Sequence, residues 1–144
     1  MPSIVGSRSV FYPDTERVMG WDVTESGFKV VLSADVPKVV AEHLPGDVES
    51  FLAEYGLGTS DIAVWICHPG GPKILHEIQE SLKLPSDALD ITWRSLRAIG
   101  NLSSASVLMI LKETLETRTP DPGSYGLLLA MGPGFCSELV LLQW

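Results

Sequence analysis

Cys67-His68-Pro69-Gly70-Gly71-Pro72 is the stretch on which the reading of this chain turns. It closes an apolar run, Ile62-Ala63-Val64-Trp65-Ile66-Cys67, that reads as a buried strand. It then opens a helix with Pro72 in the first turn, where a missing N–H costs no intrahelical bond. Downstream, Gly100-Asn101-Leu102-Ser103-Ser104-Ala105 ends one helix at Gly100 and starts another at Ser103-Ser104. A His at the carboxyl end of a strand and an Asn just ahead of a helix amino terminus both lie where donors converge on a ligand carbonyl.

Working outward, Ile74, Leu75, Ile78 and Leu82 form an inward stripe opposite Lys73, Glu77 and Glu80, which predicts a helix over 72–82. Pro85-Ser86-Asp87 is expected to cap a further helix with Leu89, Trp93 and Leu96 on one face, ending at Gly100. From Ser103 the chain reads Ser-Ser-Ala-Ser-Val-Leu-Met-Ile-Leu, small or apolar on every side for over two turns. That predicts a helix over 103–117 buried all round at its start, with a tail from Lys112 that returns to solvent. Residues 125–131 and 135–142, joined by Gly132-Pro133-Gly134, read as two strands covered on both faces.

Upstream, residues 1–15 show no clean period beyond Val10-Phe11-Tyr12 and read as a strand fragment or loop. Residues 18–23 and 28–32, separated by Thr24-Glu25-Ser26-Gly27, predict an antiparallel hairpin. Asp35 is expected to cap a helix carrying Val36, Val39, Val40 and Leu44. Pro45-Gly46 should interrupt it, Asp47 cap a continuation to Tyr55, and Gly56 and Gly58 stop it. Strand pair, helices, strand, three helices and strand pair pack most naturally as a layered α/β sandwich with a mixed sheet around a buried helix.

A length of 144 residues suits one domain, 1–144, and 45% hydrophobic with 19% charged residues excludes a disordered chain. The net charge of −8, with its few Lys and Arg scattered, excludes a nucleic-acid partner. Cys67 and Cys136 make neither a disulfide framework nor a zinc set, which fits a reducing cytoplasmic location. His43 and His76 read as helix-surface residues with no metal spacing to His68, so no metal is expected. No leader-like segment follows Met1, and no apolar run approaches the ~20 residues of a spanning helix, so membrane insertion is not expected.

His68-Pro69-Gly70-Gly71-Pro72, Gly100-Asn101-Leu102-Ser103-Ser104-Ala105 and Gly132-Pro133-Gly134, in that order, resemble the carboxyl-terminal half of the type III polyketide synthases. These are the chalcone and stilbene synthase family of the thiolase superfamily. The likeness runs from about residue 28 to 142 and is strongest from Trp65 onward. Related ketoacyl synthases share the His and Asn, but Pro-Gly-Gly after the His favours the polyketide synthases. The resemblance implies a thiolase-like half whose partner, an amino-terminal domain absent from this chain, carries the acyl-bearing Cys and much of the groove for coenzyme A phosphates. It implies malonyl-CoA and acyl-CoA as substrates, a homodimer in the intact enzyme, and no metal or redox cofactor. By motif it makes His68 and Asn101 members of a Cys-His-Asn site. Gly70 and Gly71 would border the pantetheine arm, Ser103 would line the cavity, and Gly132, Pro133 and Gly134 would shape its wall. Val30 falls where the family carries an aromatic gatekeeper.

The chemistry is consistent with those roles. The His68 ring and the Asn101 amide, both donating to one thioester oxygen, would stabilise the enolate left when malonyl thioester loses CO₂, each donor being worth about 3 to 4 kcal/mol. His68 can also pair with a thiolate and lower its pKa. The plainer reading makes His68 a satisfied strand-end histidine, Asn101 and Ser103 helix caps, and Gly70-Gly71 a tight turn. Cys67 tempts as a nucleophile, but strand neighbours point to opposite faces, so it reads as a buried small hydrophobe. Cys136 does not match the family's Cys. The expected function is therefore the carboxyl-terminal domain of a polyketide synthase-like acyltransferase, inactive in isolation for want of a nucleophile. The alternatives are a non-catalytic binding or interaction module of the same fold and, third, a Cys67-dependent hydrolase.

Overall fold

The computed structural model describes residues 1–144. Strands β1 (Ser3–Phe11), β2 (Met19–Thr24) and β3 (Gly27–Leu32) precede helix α1 (Val36–Ala53). A 3-10 turn at Thr59–Asp61 leads into β4 (Ile62–Cys67), and then follow α2 (Pro72–Ser81), α3 (Asp90–Ala98), α4 (Ser104–Thr117), β5 (Tyr125–Gly132) and β6 (Cys136–Gln143). The main sheet has the order β1-β6-β5-β4, with β4 parallel to β5 and the other pairs antiparallel; β2 and β3 form a separate hairpin.

Period-two alternation sorts the strands onto two layers. Trp65, Cys67, Leu127, Leu129, Leu139 and Leu141 face α1 and α2, meeting Val40, Leu44, Val48, Leu75 and Ile78. Ile66 and Leu142 face the other way, onto Ile91 of α3 and Val107 and Ile110 of α4. The mixed-sheet α/β sandwich is thus the one expected, and it points the carboxyl ends of β4 and β5 toward the same edge. Leu127 is fully enclosed in the larger cluster. Leu127→Ala should lower unfolding stability by about 2–5 kcal/mol, through lost transfer energy and the cavity left behind. A urea midpoint unchanged from the parent chain would contradict this packing.

Four local expectations are corrected. The segment read as a strand fragment or loop is the nine-residue β1, paired with β6 from Ser3 to Phe11 with one register shift between Ile4 and Gly6. Polar anchors hold it to α1: Arg8 donates to Ser50 at 2.6 Å and pairs with Glu54, and its guanidinium lies 5.2 Å over the Phe51 ring. At its end, Tyr12 donates to Asp47 at 2.6 Å. Helix α1 runs straight through Pro45, because Leu44, Val48, Phe51 and Leu52 continue one buried stripe across it and packing outweighs the lost backbone bond. Neither Asp35 nor Asp87 makes a side-chain cap, and α3 begins after Leu89. Gly56 does stop α1: at φ 70° it lets its own N–H reach Ala53 and the Leu57 N–H reach Leu52.

The fourth correction concerns α4, which is not buried all round. Ser106, Val107, Ile110 and Thr114 face the sheet, but Leu108 is 62% and Met109 40% exposed. Its second apolar face has no layer over it in this chain. The β2–β3 hairpin is similarly bare, with Trp21, Val23, Phe28, Val30 and Leu32 all exposed on one face. No helix is long and apolar enough to cross a membrane.

Candidate active site

The parallel ladder continues one residue past β4, where the His68 N–H donates to the Leu129 carbonyl at 2.8 Å. Buried Thr92 of α3 donates to the Cys67 carbonyl at 3.3 Å, bracing the same strand end. The chain then turns sharply, with the Gly70 N–H on the His68 carbonyl at 2.9 Å. Gly71, at φ 146°, adopts a conformation L side chains rarely take and delivers Pro72 into α2. A Cβ on Gly70 would come within 3.2 Å of Ile74, so backbone and helix are in close contact there.

The second segment is built around Asn101. Gly100 ends α3 at φ 86°, and the Asn101 side-chain oxygen accepts the Ser103 N–H at 2.8 Å. Only the oxygen of a carboxamide can accept, so this bond fixes which end is which and leaves both N–H groups of the Asn101 amide free to donate. Ser103 makes no side-chain cap on α4.

His68, Gly70, Asn101, Ser103, Pro133 and Val30 line one cavity of about 390 Å³. Its remaining wall is apolar and includes Met19, Trp21, Ile74 and Met131. The other three residues singled out from sequence do not line it. Gly71 sets the backbone turn into α2, while Gly132 ends β5 and Gly134 lies in the β5–β6 turn; the Gly134 N–H ties that turn to the hairpin at the Met19 carbonyl, 2.9 Å away. Trp21 is the residue the sequence reading missed. It pairs directly across the hairpin with Val30, so the bulky aromatic of this wall stands on β2 while the facing β3 position is aliphatic. A larger hollow of about 720 Å³ at the opposite end of β4, bounded by Ser60, Lys83, Asp87 and Arg118, contains none of these residues.

Burial lowers the pKa of His68 below its usual 6.5, so the imidazole is neutral near pH 7 and donates as a neutral ring N–H. Cys67, one residue earlier, is fully buried in the larger core cluster and does not line the cavity, its thiol pushed up to about 12 by desolvation. Such a thiol is inert, and the Cys67 hydrolase reading falls with it. Cys136 is half-buried at the start of β6 and its thiol is also raised, chiefly by burial. No cluster of three metal-ligating side chains occurs.

Residues 3–144 match the family description "Chalcone and stilbene synthases, C-terminal domain". The chain belongs to the chalcone and stilbene synthase family. Among curated relatives, it is 54% identical over 143 residues to a 1,3,6,8-tetrahydroxynaphthalene synthase of Streptomyces peucetius subsp. caesius, covering 99% of this chain and 38% of that protein. It is 35% identical over 145 residues to a 3,5-dihydroxyphenylacetyl-CoA synthase of Streptomyces toyocaensis, covering 99% and 37%. Among solved structures, it superposes on PKS-I from the brown alga Ectocarpus siliculosus with a TM-score of 0.91 at 27% identity, covering 99% of this chain and 39% of that one. The C-terminal type III polyketide synthase domain of Steely1 from Dictyostelium gives 0.88 at 28% identity, covering 99% and 40%. This chalcone and stilbene synthase domain therefore spans well under half the length of the relatives it matches.

Proposed function

We propose that this domain supplies the two oxyanion donors, His68 and Asn101, of a type III polyketide synthase whose acyl-carrying Cys comes from an amino-terminal half. The observation that carries the reading is that the Asn101 oxygen is already committed to the Ser103 N–H, so its amide N–H groups, on the wall that His68 shares, are the free end. Malonyl-CoA placed with its thioester oxygen between the two donors loses CO₂. The electron pair of the broken C–C bond moves toward that oxygen as an enolate, which the donors stabilise. The enolate carbon attacks the acyl thioester on the Cys, and the collapsing tetrahedral adduct releases the Cys thiolate. This sequence requires no electron acceptor and no metal. Trp21 and Val30 would form the apolar wall against which the growing chain lies.

The bare faces of α4 and of the hairpin support a complementing half, since contiguous exposed apolar surface of this kind marks an interaction site. Assembly as a homodimer of such pairs and a reducing, cytoplasmic setting, suited to the two free thiols, belong to the same proposal. The test is CO₂ release from malonyl-CoA and condensation with acyl-CoA, followed by mass. The 144-residue chain alone should do neither, and the assembly with the Cys-bearing half should do both. A folded assembly that acylates its Cys yet leaves malonyl-CoA intact would instead support a non-catalytic interaction module.

A further inference from the structure

We propose that Ser106 is a positioning residue for Asn101, a role that rests on reading Asn101 as an oxyanion donor. Ser106 sits in the first turn of α4 and is only 2% exposed. Its Oγ accepts the Leu102 N–H at 2.7 Å, and its own N–H donates to the Ser103 carbonyl at 3.1 Å. One enclosed residue thus grips both members of the dipeptide that follows Asn101. The Asn101 amide in turn takes its orientation from the Ser103 N–H, 2.8 Å from its oxygen. Ser103 holds φ 57° and ψ −140°, a conformation that a residue with a side chain keeps only where its surroundings over-determine it.

A hydroxyl at Ser103 would be the ordinary device for starting α4, but Ser103 makes no such cap, and Ser106 reaches back instead. The chain of dependence runs from the Ser106 hydroxyl to the Leu102 peptide, to the Ser103 N–H, to the Asn101 oxygen, and so to the direction of the free amide N–H groups. Without the hydroxyl, the Leu102 N–H loses its acceptor, and the Leu102-Ser103 dipeptide that aims Asn101 is gripped at one end rather than both. Packing alone does not account for the role: alanine would fill nearly the same space, but it cannot accept a hydrogen bond.

The experiment is a double-mutant cycle on the assembled enzyme, together with NMR of the 144-residue chain. Ser106→Ala should lower kcat for malonyl-CoA decarboxylation about tenfold with KM changed less than about twofold, and should cost less than about twofold in an Asn101→Ala background, because the two act as one unit. Ser106→Cys, whose sulfur is a weak acceptor, should fall between alanine and the parent. In the chain alone, the single pair of Asn101 side-chain amide resonances should broaden or split in Ser106→Ala while circular dichroism stays unchanged. An equal loss in both Asn101 backgrounds, or a sharp unshifted Asn101 amide in the alanine variant, would overturn the role. If Asn101→Ala itself left decarboxylation unaffected, the oxyanion reading would fail, and the amide resonances would still report whether Ser106 holds the side chain.

Discussion

Asn101→Ala is expected to slow malonyl-CoA decarboxylation by the assembled enzyme about 100- to 1,000-fold, the range found when one donor of an oxyanion hole is removed. The magnitude follows from geometry rather than residue type. The carboxamide oxygen is spent on the Ser103 N–H, so the amide N–H groups have no competing local acceptor at that end and need no reorganisation when charge appears on the substrate oxygen. The cavity wall is largely apolar, which strengthens the bond to a developing anion. Asn101→Asp should not rescue the loss: it could still accept the Ser103 N–H, but it has no N–H to give and sets a negative charge against the enolate. Acylation of the Cys should suffer much less, so loading and decarboxylation separate. CO₂ release at saturating malonyl-CoA is the readout, and a loss under about threefold would remove Asn101 from the donor set.

His68→Ala should cost more, at least about 1,000-fold in decarboxylation, because under the proposed function it removes a donor and the partner of the Cys thiolate together. Alkylation of the Cys in the assembly should slow in parallel, whereas Asn101→Ala leaves it unchanged. A pH signature accompanies this in the chain alone. Burial depresses the folded pKa of His68, so the unfolded chain binds the proton more readily. This contribution to stability is fully present above the ordinary value near 6.5 and is lost as pH falls through the depressed folded value, below which it is level. Urea midpoints of the parent chain should therefore fall with acidification in that window more steeply than those of His68→Ala. Parallel curves would mean that the ring is solvated and does not sit against the apolar wall. A thiolate brought alongside in the assembly would raise the same pKa, which is how the chain alone and the complete site can be told apart.

The fold was legible wherever a signal was local. The run Ile62–Cys67 between Asp61 and His68, the α2 stripe of Leu75 and Ile78, and the Gly132-Pro133-Gly134 turn all lie in the structure where their periods put them. His68 and Asn101 meet at one cavity because each is fixed by a junction that its own neighbours specify. What could not be read depended on distant partners. Strand β1 owes its order to β6, at the far end of the chain, and to polar anchors such as Arg8, neither of which leaves an apolar period. The passage of α1 through Pro45 is decided by the continuous burial of Leu44 and Val48, which outweighs a local breaker. The α4 sequence records that Leu108 and Met109 are apolar but not which layer is to cover them. Trp21 was within reach: a two-residue turn pairs Thr24 with Gly27, and counting back along that ladder sets Trp21 opposite Val30.

The most direct test of the two-donor site is a crystal structure of the assembled enzyme bound to a non-hydrolysable malonyl or acetyl thioester analogue. The account predicts the analogue's carbonyl oxygen about 2.7–3.1 Å from both a His68 ring nitrogen and the Asn101 amide nitrogen, with the Asn101 oxygen still on the Ser103 N–H. A carbonyl oxygen bound by other donors, with Asn101 turned so that its amide N–H groups face away from the cavity, would contradict it.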